Sequence, residues 1–390
     1  MDFLLTEEQR MIGETARKVG DRFGLEYWRE LDAAKAFPGE FWKAVCEAGL
    51  CGVALPTEYG GSGLGMIEMA LIVEALSASG GGSTVGQLFM INPIFGGVSI
   101  AKFGTPAMKR ELLPRIISGE INCCMALTEP DAGSNSLEIQ TFAARHGNGW
   151  RLNGRKIWIT GVESAEKMLV IARTSKVQDV KRRTEGLSMF LVDVRRKGLS
   201  YSSIEKLGTN TLSSCSVFFE DVDVSGDELV GTLDGGWYEL LDVLNTERIV
   251  TTAGLVGAAE LAFRIAVDYA KERRVFGGRP IGEYQGIQFP LAQSFAEVEC
   301  ARLMNHKAAS LFDRGLPYGT EANVAKLIAS QGASNGIEHA MQTLGGMGFA
   351  KETHLERLWR DARLFRFAPI SEQMILNFIA MQNLGLPRSY

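Results

Sequence analysis

Two changes of hydrophobic period, near residues 121 and 236, constrain this chain more than any other feature of its sequence. Up to about residue 120, TEEQRMIGETARKVGDRFG and EFWKAVCEAG place apolar residues three and four apart, the period of helices packed on one side. PTEYGGSG and ASGGGS interrupt them. QTFAARHGNGWRLNGRKIWIT then alternates, with Gly-Asn-Gly and Asn-Gly as turn signals. KMLVIART, LSMFLVDV and CSVFFEDVDV follow as β-rich runs. From about 236 the helical period returns and holds through 240–273, 283–313, 317–345 and 370–384. The order all-α, all-β, all-α predicts an α+β fold in three domains, 1–120, 121–235 and 236–390. No strand alternates with a helix as a βαβ unit requires, which argues against Rossmann and barrel folds.

Several function classes fall away on composition. A net charge of −5 gives a phosphate backbone no basic patch to bind. No apolar run is read as approaching the roughly 18 residues that cross a bilayer. MDFLLTEEQRMI has no basic segment leading an apolar one, so no signal peptide is expected; Thr6 and Gln9 instead have capping-box spacing. Six cysteines at 46, 51, 123, 124, 215 and 300 form no CxxC pair and no zinc spacing, so reduced thiols in a cytoplasmic protein are expected. The four histidines, 146, 306, 339 and 354, match no metal spacing, and no metal site is expected. GGSGLG at 60–65 lacks GxGxxG spacing, and no GxxxxGK[ST] occurs. A nucleotide cofactor, if present, is held another way.

One residue breaks its own pattern. In LLDVLNTERIVTTAGLVGAAELAF (240–263), Leu240, Leu244, Thr251, Gly254 and Ala258 line one helical face, and Glu247 projects from its middle. Asp242, Glu239 and Glu260 take the opposite side. A buried carboxylate is usually paired, here with Arg248 or Arg264. The other reading is a base whose pKa is raised by burial.

LTEPDAGSNS (127–136), KIWITG (156–161), RRVFG (273–277), QTLGGMGF (342–349) and LWRDARLF (358–365) resemble the acyl-CoA dehydrogenase family. PTEYGGSGLG (56–65) and KFGTPAMKRELLPRIISGE (102–120) resemble further family stretches, so the likeness spans nearly the whole chain. It implies a helical N-terminal domain, an antiparallel β domain and a C-terminal four-helix bundle, with FAD held non-covalently between the last two. Carried over by motif, Met125, Ala126, Leu127, Thr128, Gly133 and Ser134 would run along the flavin, with Trp158, Ile159 and Thr160 flanking its ring. Arg273, Phe276, Gln285, Gln342, Gly345 and Gly346 would hold pyrophosphate and adenosine, some of them from a neighbouring subunit. A guanidinium suits a diphosphate, and paired glycines let backbone approach phosphate. Each also has a plainer reading: Trp158 as a core aromatic, GGMG as a helix C-cap, Arg273 as part of a solvated KERR run.

The chemistry implied is removal of an acyl-CoA α-proton with transfer of the β-hydride to flavin N5. In most of the family a Tyr-Glu-Gly-Thr loop supplies the base. Here RDARLFRFAPISEQM places Pro369 at the glutamate and Ile370 at the glycine. A smaller branch, that of isovaleryl-CoA and long-chain acyl-CoA dehydrogenases, carries its base in a Glu-Arg helix motif, matched by Glu247-Arg248. The resemblance therefore assigns Glu247 as catalytic base, with Ser134, Tyr238, Asn245 and Arg248 near substrate and CoA, and Ser371 and Gln373 near flavin. Proline has no N–H for the thioester carbonyl, so either Ala368 supplies that donor or one bond is absent. GGGSTVGQLFMINPIFGG (80–97) is expected to form a helix pair around the acyl tail. Electron-transfer flavoprotein is the expected acceptor, and a homotetramer or homodimer the expected assembly. A same-fold flavin monooxygenase or acyl-CoA oxidase, an enoyl-CoA-reducing enzyme and a non-catalytic binding homologue remain as alternatives.

Overall fold

The computed structural model describes residues 4–388, so positions 1–3 and 389–390 of the outer two domains lie outside the described residues. Its first part is helical: α1 (Glu7–Asp21), α2 (Leu25–Ala34), α3 (Gly39–Glu47), α4 (Met66–Leu76), α5 (Ser83–Phe89), α6 (Ser99–Phe103) and α7 (Pro106–Ile117). The capping box forms as spaced: Gln9 N–H donates to Thr6 Oγ1, and Thr6 N–H to Gln9 Oε1, both at 3.1 Å. Residues 80–97 do not fold as a separate helix pair. A wide helical segment over 90–98 joins α5 to α6 in one helix, Ser83–Phe103, and a break at 80–82 separates it from α4 and the wide turn at 77–81. The glycines at 80 and 82 make that break at φ +148° and +60°, and Pro93, lacking an N–H, sits in the wide segment of the helix.

Eight strands follow: β1 (Cys123–Ala126), β2 (Phe142–His146), β3 (Gly149–Thr160), β4 (Lys167–Arg173), β5 (Leu187–Asp193), β6 (Leu199–Ser203), β7 (Ser214–Val224) and β8 (Leu229–Val230). They form one sheet in the order β6-β7-β3-β2-β4-β5-β8, antiparallel except that β1 lies parallel on β4 and β2 touches β4 in parallel at Phe142 and Arg173. Gly147 and Asn148 turn β2 into β3. The second turn signal, Asn153-Gly154, makes no turn. β3 runs through it with a bulge against β7 and Gly154 at φ +148°, where a Cβ would meet Thr141 at 2.6 Å.

Helices then return: α8 (Gly236–Glu272), α9 (Gln285–Asp313), α10 (Gly319–Leu344), α11 (Leu355–Arg363) and α12 (Glu372–Gln382). A two-stranded hairpin over 274–280 separates α8 from α9. The sequence reading had no helix at α11, which is only nine residues long and mostly charged.

α8 corrects the one-faced reading of its sequence. It packs on α4 and α5 as well as on α9 and α10, and its residues join three separate hydrophobic clusters. From Thr246 to Ala259 every residue is buried, so no wet side exists there. Two glycines allow these close crossings: a Cβ on Gly257 would stand 2.4 Å from Glu74 O, and one on Gly254 2.9 Å from Gly86 Cα. Ser83–Phe103 and Gly236–Glu272 are long and apolar enough to cross a membrane, which the sequence reading had not anticipated. Their apolar windows are 94% and 83% buried inside the protein, the placement of core helices.

Candidate active site

Glu247 is 1% exposed in the middle of α8. Among the described residues its carboxylate accepts one hydrogen bond, from Thr251 Oγ1, one turn on, at 2.9 Å. The pairing suggested as an alternative does not form. Arg264 Nη2 donates to Ala78 O at 2.8 Å, and Arg248 Nη1 donates to Asn245 Oδ1. Arg248 Nε is buried without a partner among the described residues. Burial pushes the Glu247 carboxyl above its ordinary range, against the pull of the Arg248 charge, the Thr251 hydroxyl and the Lys326 ammonium. A carboxylate so placed can accept a proton, because nothing nearby neutralises it fully.

The substrate-side residues divide. Asn245 and Arg248 lie within one turn of Glu247, whereas Tyr238 sits 63% exposed in the first turn, about 13 Å along the axis at 1.5 Å per residue. In the 364–371 loop, Ala368 N–H already donates to Leu364 O at 3.0 Å, and Pro369 has none to give. Ser371 caps α12, its Oγ accepting from Met374 N–H at 3.3 Å, and Gln373 is exposed beside it.

A second buried carboxylate lies in the sheet. Lys156, 1% exposed on β3, donates to Leu127 O and to Glu129 Oε1, each at 2.9 Å. Glu129 also accepts Gln140 N–H at 2.6 Å and Thr141 N–H at 2.9 Å. Burial raises the Glu129 carboxyl, but the Lys156 charge and these hydrogen bonds outweigh it and leave it below its usual range. Burial holds Lys156 down to about 8. With Ile157 N–H donating to Thr128 O at 2.9 Å, this pair locks the 125–134 segment to the 156–160 segment. Sequence reasoning missed both residues, although Lys156 shares the inward parity of Leu152 on β3.

The flavin-side residues fall on these locked segments. Gly133 and Ser134 are exposed, and Met125, Leu127 and Thr128 half-buried. A second β3 bulge, between Lys156 and Ile159, turns Trp158 outward at φ +60° and 54% exposed, so it is no core aromatic. Thr160 is half-buried. Ala126 and Ile159 point inward at 0% and 2% exposure and offer only backbone to a ligand. Arg273, Phe276, Gln285, Gln342, Gly345 and Gly346 lie exposed in the C-terminal domain, Arg273 and Phe276 at the hairpin after α8, Gln285 at the start of α9, and the others at the end of α10. The Arg273 guanidinium has no ion pair among the described residues, and Phe276 is 88% exposed. Gly345 does end α10 at φ +59°, and a Cβ on either glycine would meet nothing within 4 Å. The backbone is therefore open to a phosphate as well. An outward aromatic, an unpaired guanidinium and open glycines fit a flavin dinucleotide.

A helical domain, a mostly antiparallel sheet and a helical bundle with these surfaces define a flavoprotein oxidoreductase. Family models of the acyl-CoA dehydrogenase N-terminal, middle and C-terminal domains match residues 6–120, 124–222 and 234–384, and the chain belongs to the acyl-CoA dehydrogenase family. Acyl-CoA dehydrogenase FadE12 of Mycobacterium tuberculosis is 39% identical over 390 residues, covering 100% of this chain and 99% of the relative. The glutaryl-coenzyme A dehydrogenase glutaryl-CoA complex is 30% identical with a TM-score of 0.95, over 100% of this chain and 98% of that one. The FAD complex of PigA is 26% identical with a TM-score of 0.93, over 99% and 100%.

Proposed function

We propose that this oxidoreductase uses FAD and that Glu247 takes the α-proton of an acyl-CoA thioester while the β-hydride departs to flavin N5, leaving a 2,3-enoyl-CoA. FAD, when bound, supplies the hydride acceptor. The 125–134 backbone, Thr128, Trp158 and Thr160 orient it. Arg273, Phe276, Gln285, Gln342 and the glycines at 345–346 hold the diphosphate and adenosine end, in part for a neighbouring copy. Ser371 and Gln373 complete the contact from the loop. Ser134, Asn245 and Arg248 lie toward substrate, with Tyr238 at the outer end of α8. The observation that carries this reading is Glu247, buried, raised in pKa and with its carboxylate hydrogen-bonded, among the described residues, only by Thr251, while Pro369 offers no carboxylate. Electron-transfer flavoprotein takes the electrons onward. Outward Phe276, Phe289, Phe295 and Phe349, at 88%, 60%, 54% and 84% exposure, support assembly with further copies of this chain.

Anaerobic titration with an acyl-CoA panel tests this. Bleaching of the flavin spectrum by one chain type is expected, and Glu247→Gln is expected to abolish it. Retained bleaching in that variant would remove Glu247 as base. The loop favours a second reading, because neither Ala368 nor Pro369 has a free N–H for an enolate oxygen. Bound flavin that no thioester reduces would shift the reading to an enoyl-CoA-reducing or non-catalytic homologue.

A further inference from the structure

Lys326 on α10 is fully buried, and no step above uses it. A buried ammonium is expensive unless its donors and charge are answered. Its donors are answered by backbone: Nζ donates to Phe365 O at 2.6 Å and to Ile370 O at 2.7 Å. These carbonyls stand at the two ends of the segment that carries Pro369. Four charges act on the ammonium. Glu247 on α8 and Glu372 on α12 favour it, while Arg248 on α8 and Arg366 in the loop oppose it. Glu372 is already satisfied by Arg366, by Ser330 Oγ at 3.2 Å and by Gln331 Nε2 at 3.3 Å. Glu247 has the Thr251 hydroxyl and no ion pair among the described residues, so it is the carboxylate left to answer Lys326.

We propose that Lys326 is a positioning residue for Glu247: it ties both ends of the 365–370 segment to α10 and sets a fixed cation near the base. The proposal rests on the reading of Glu247 as base. The loop, though it holds no carboxylate, then contributes by its place. The sign of the electrical effect follows from the charges. Lys326 opposes protonation of Glu247, and that opposition fades as the ammonium, held down to about 8 by burial, loses its own proton.

The test is the pH dependence of flavin reduction under anaerobic, saturating acyl-CoA, measured on the holoenzyme for wild type, Lys326→Met, Lys326→Arg and Glu247→Gln. Lys326→Met should slow reduction about ten-fold at neutral pH and move the acid limb up by about one unit. Lys326→Arg should restore the limb, since the charge remains, but not the full rate, because a planar guanidinium reaches the two carbonyls differently. A purely structural lysine would lower the rate equally at every pH. If Lys326→Met keeps its flavin and the wild-type limb while Glu247→Gln is dead, the proposal fails and the base assignment stands. If Glu247→Gln still reduces flavin, the base assignment itself fails. Should Lys326→Met not hold flavin, Lys326→Arg decides, and a limb displaced from wild type in that variant overturns the proposal.

Discussion

Glu129 in the sheet and Glu247 in the central helix are 7% and 1% exposed, yet their surroundings move their proton affinities in opposite directions. Glu129 has an ammonium at 2.9 Å and two backbone N–H donors, so its charge is paid for locally. Glu247 has one hydroxyl and cations only at a distance. Burial by itself therefore does not make a base. The partner set decides, and here it separates a structural carboxylate from one able to take a proton.

The comparison breaks most sharply at Glu247. Replacement by Gln, nearly isosteric, should reduce the rate of flavin reduction by about 10³-fold with flavin content unchanged, measured by anaerobic stopped flow. At the other site, Lys156→Met leaves Glu129 charged and buried without its cation. A loss of about 3–5 kcal/mol in urea unfolding is expected, with weaker flavin retention. A rate effect in Lys156→Met with unchanged stability would contradict the division of roles.

Stability against pH should then show opposite signs. The Glu129 carboxyl is held low in the folded state, so its contribution is present above its unfolded pKa and is lost as pH falls through the folded value. The Glu247 carboxyl is held high, so its contribution is full below its unfolded pKa and is lost as pH rises through the folded value. Relative to wild type, Glu129→Gln should therefore carry a constant deficit above about 4.3 that shrinks as pH falls below it, whereas Glu247→Gln should gain stability as pH rises above about 4.3. Equal slopes in thermal unfolding at pH 5 to 8 would refute the contrast. The smallest effect belongs to Thr251→Val, which removes the hydrogen bond to the Glu247 carboxylate and should raise its pKa further. The acid limb should move up by a fraction of a unit, with about 0.5–1.5 kcal/mol at stake.

Much of this was legible in the sequence. Period alone separated helix from strand along most of the chain, because a two-residue and a 3.6-residue repeat cannot be confused over long runs. Glu247 stood out because a charge interrupted apolar spacing. Lys326 carried the same signal, between Ala322 and Ala329 on a buried face, and so did Lys156 beside Leu152. Neither was noticed, since each matters through a partner distant in sequence: Phe365 and Ile370 for one, Glu129 for the other. The Asn153-Gly154 turn failed for a related reason. Glycine at φ +148° serves a bulge as well as a turn, and only the neighbouring β7 strand decides between them.

By itself, the sequence determined the α, β, α order, the family motifs and a lone carboxylate in an apolar helix, all of which are written in local spacing. Tertiary structure decided that the middle of α8 is buried on every side and that Arg264 turns away to Ala78. It also decided that Lys326 closes the loop where the usual base is missing. Those outcomes depend on which backbone carbonyls and side chains long-range packing brings within 3 Å, and in a low-dielectric interior that sets whether a charge is satisfied or left reactive.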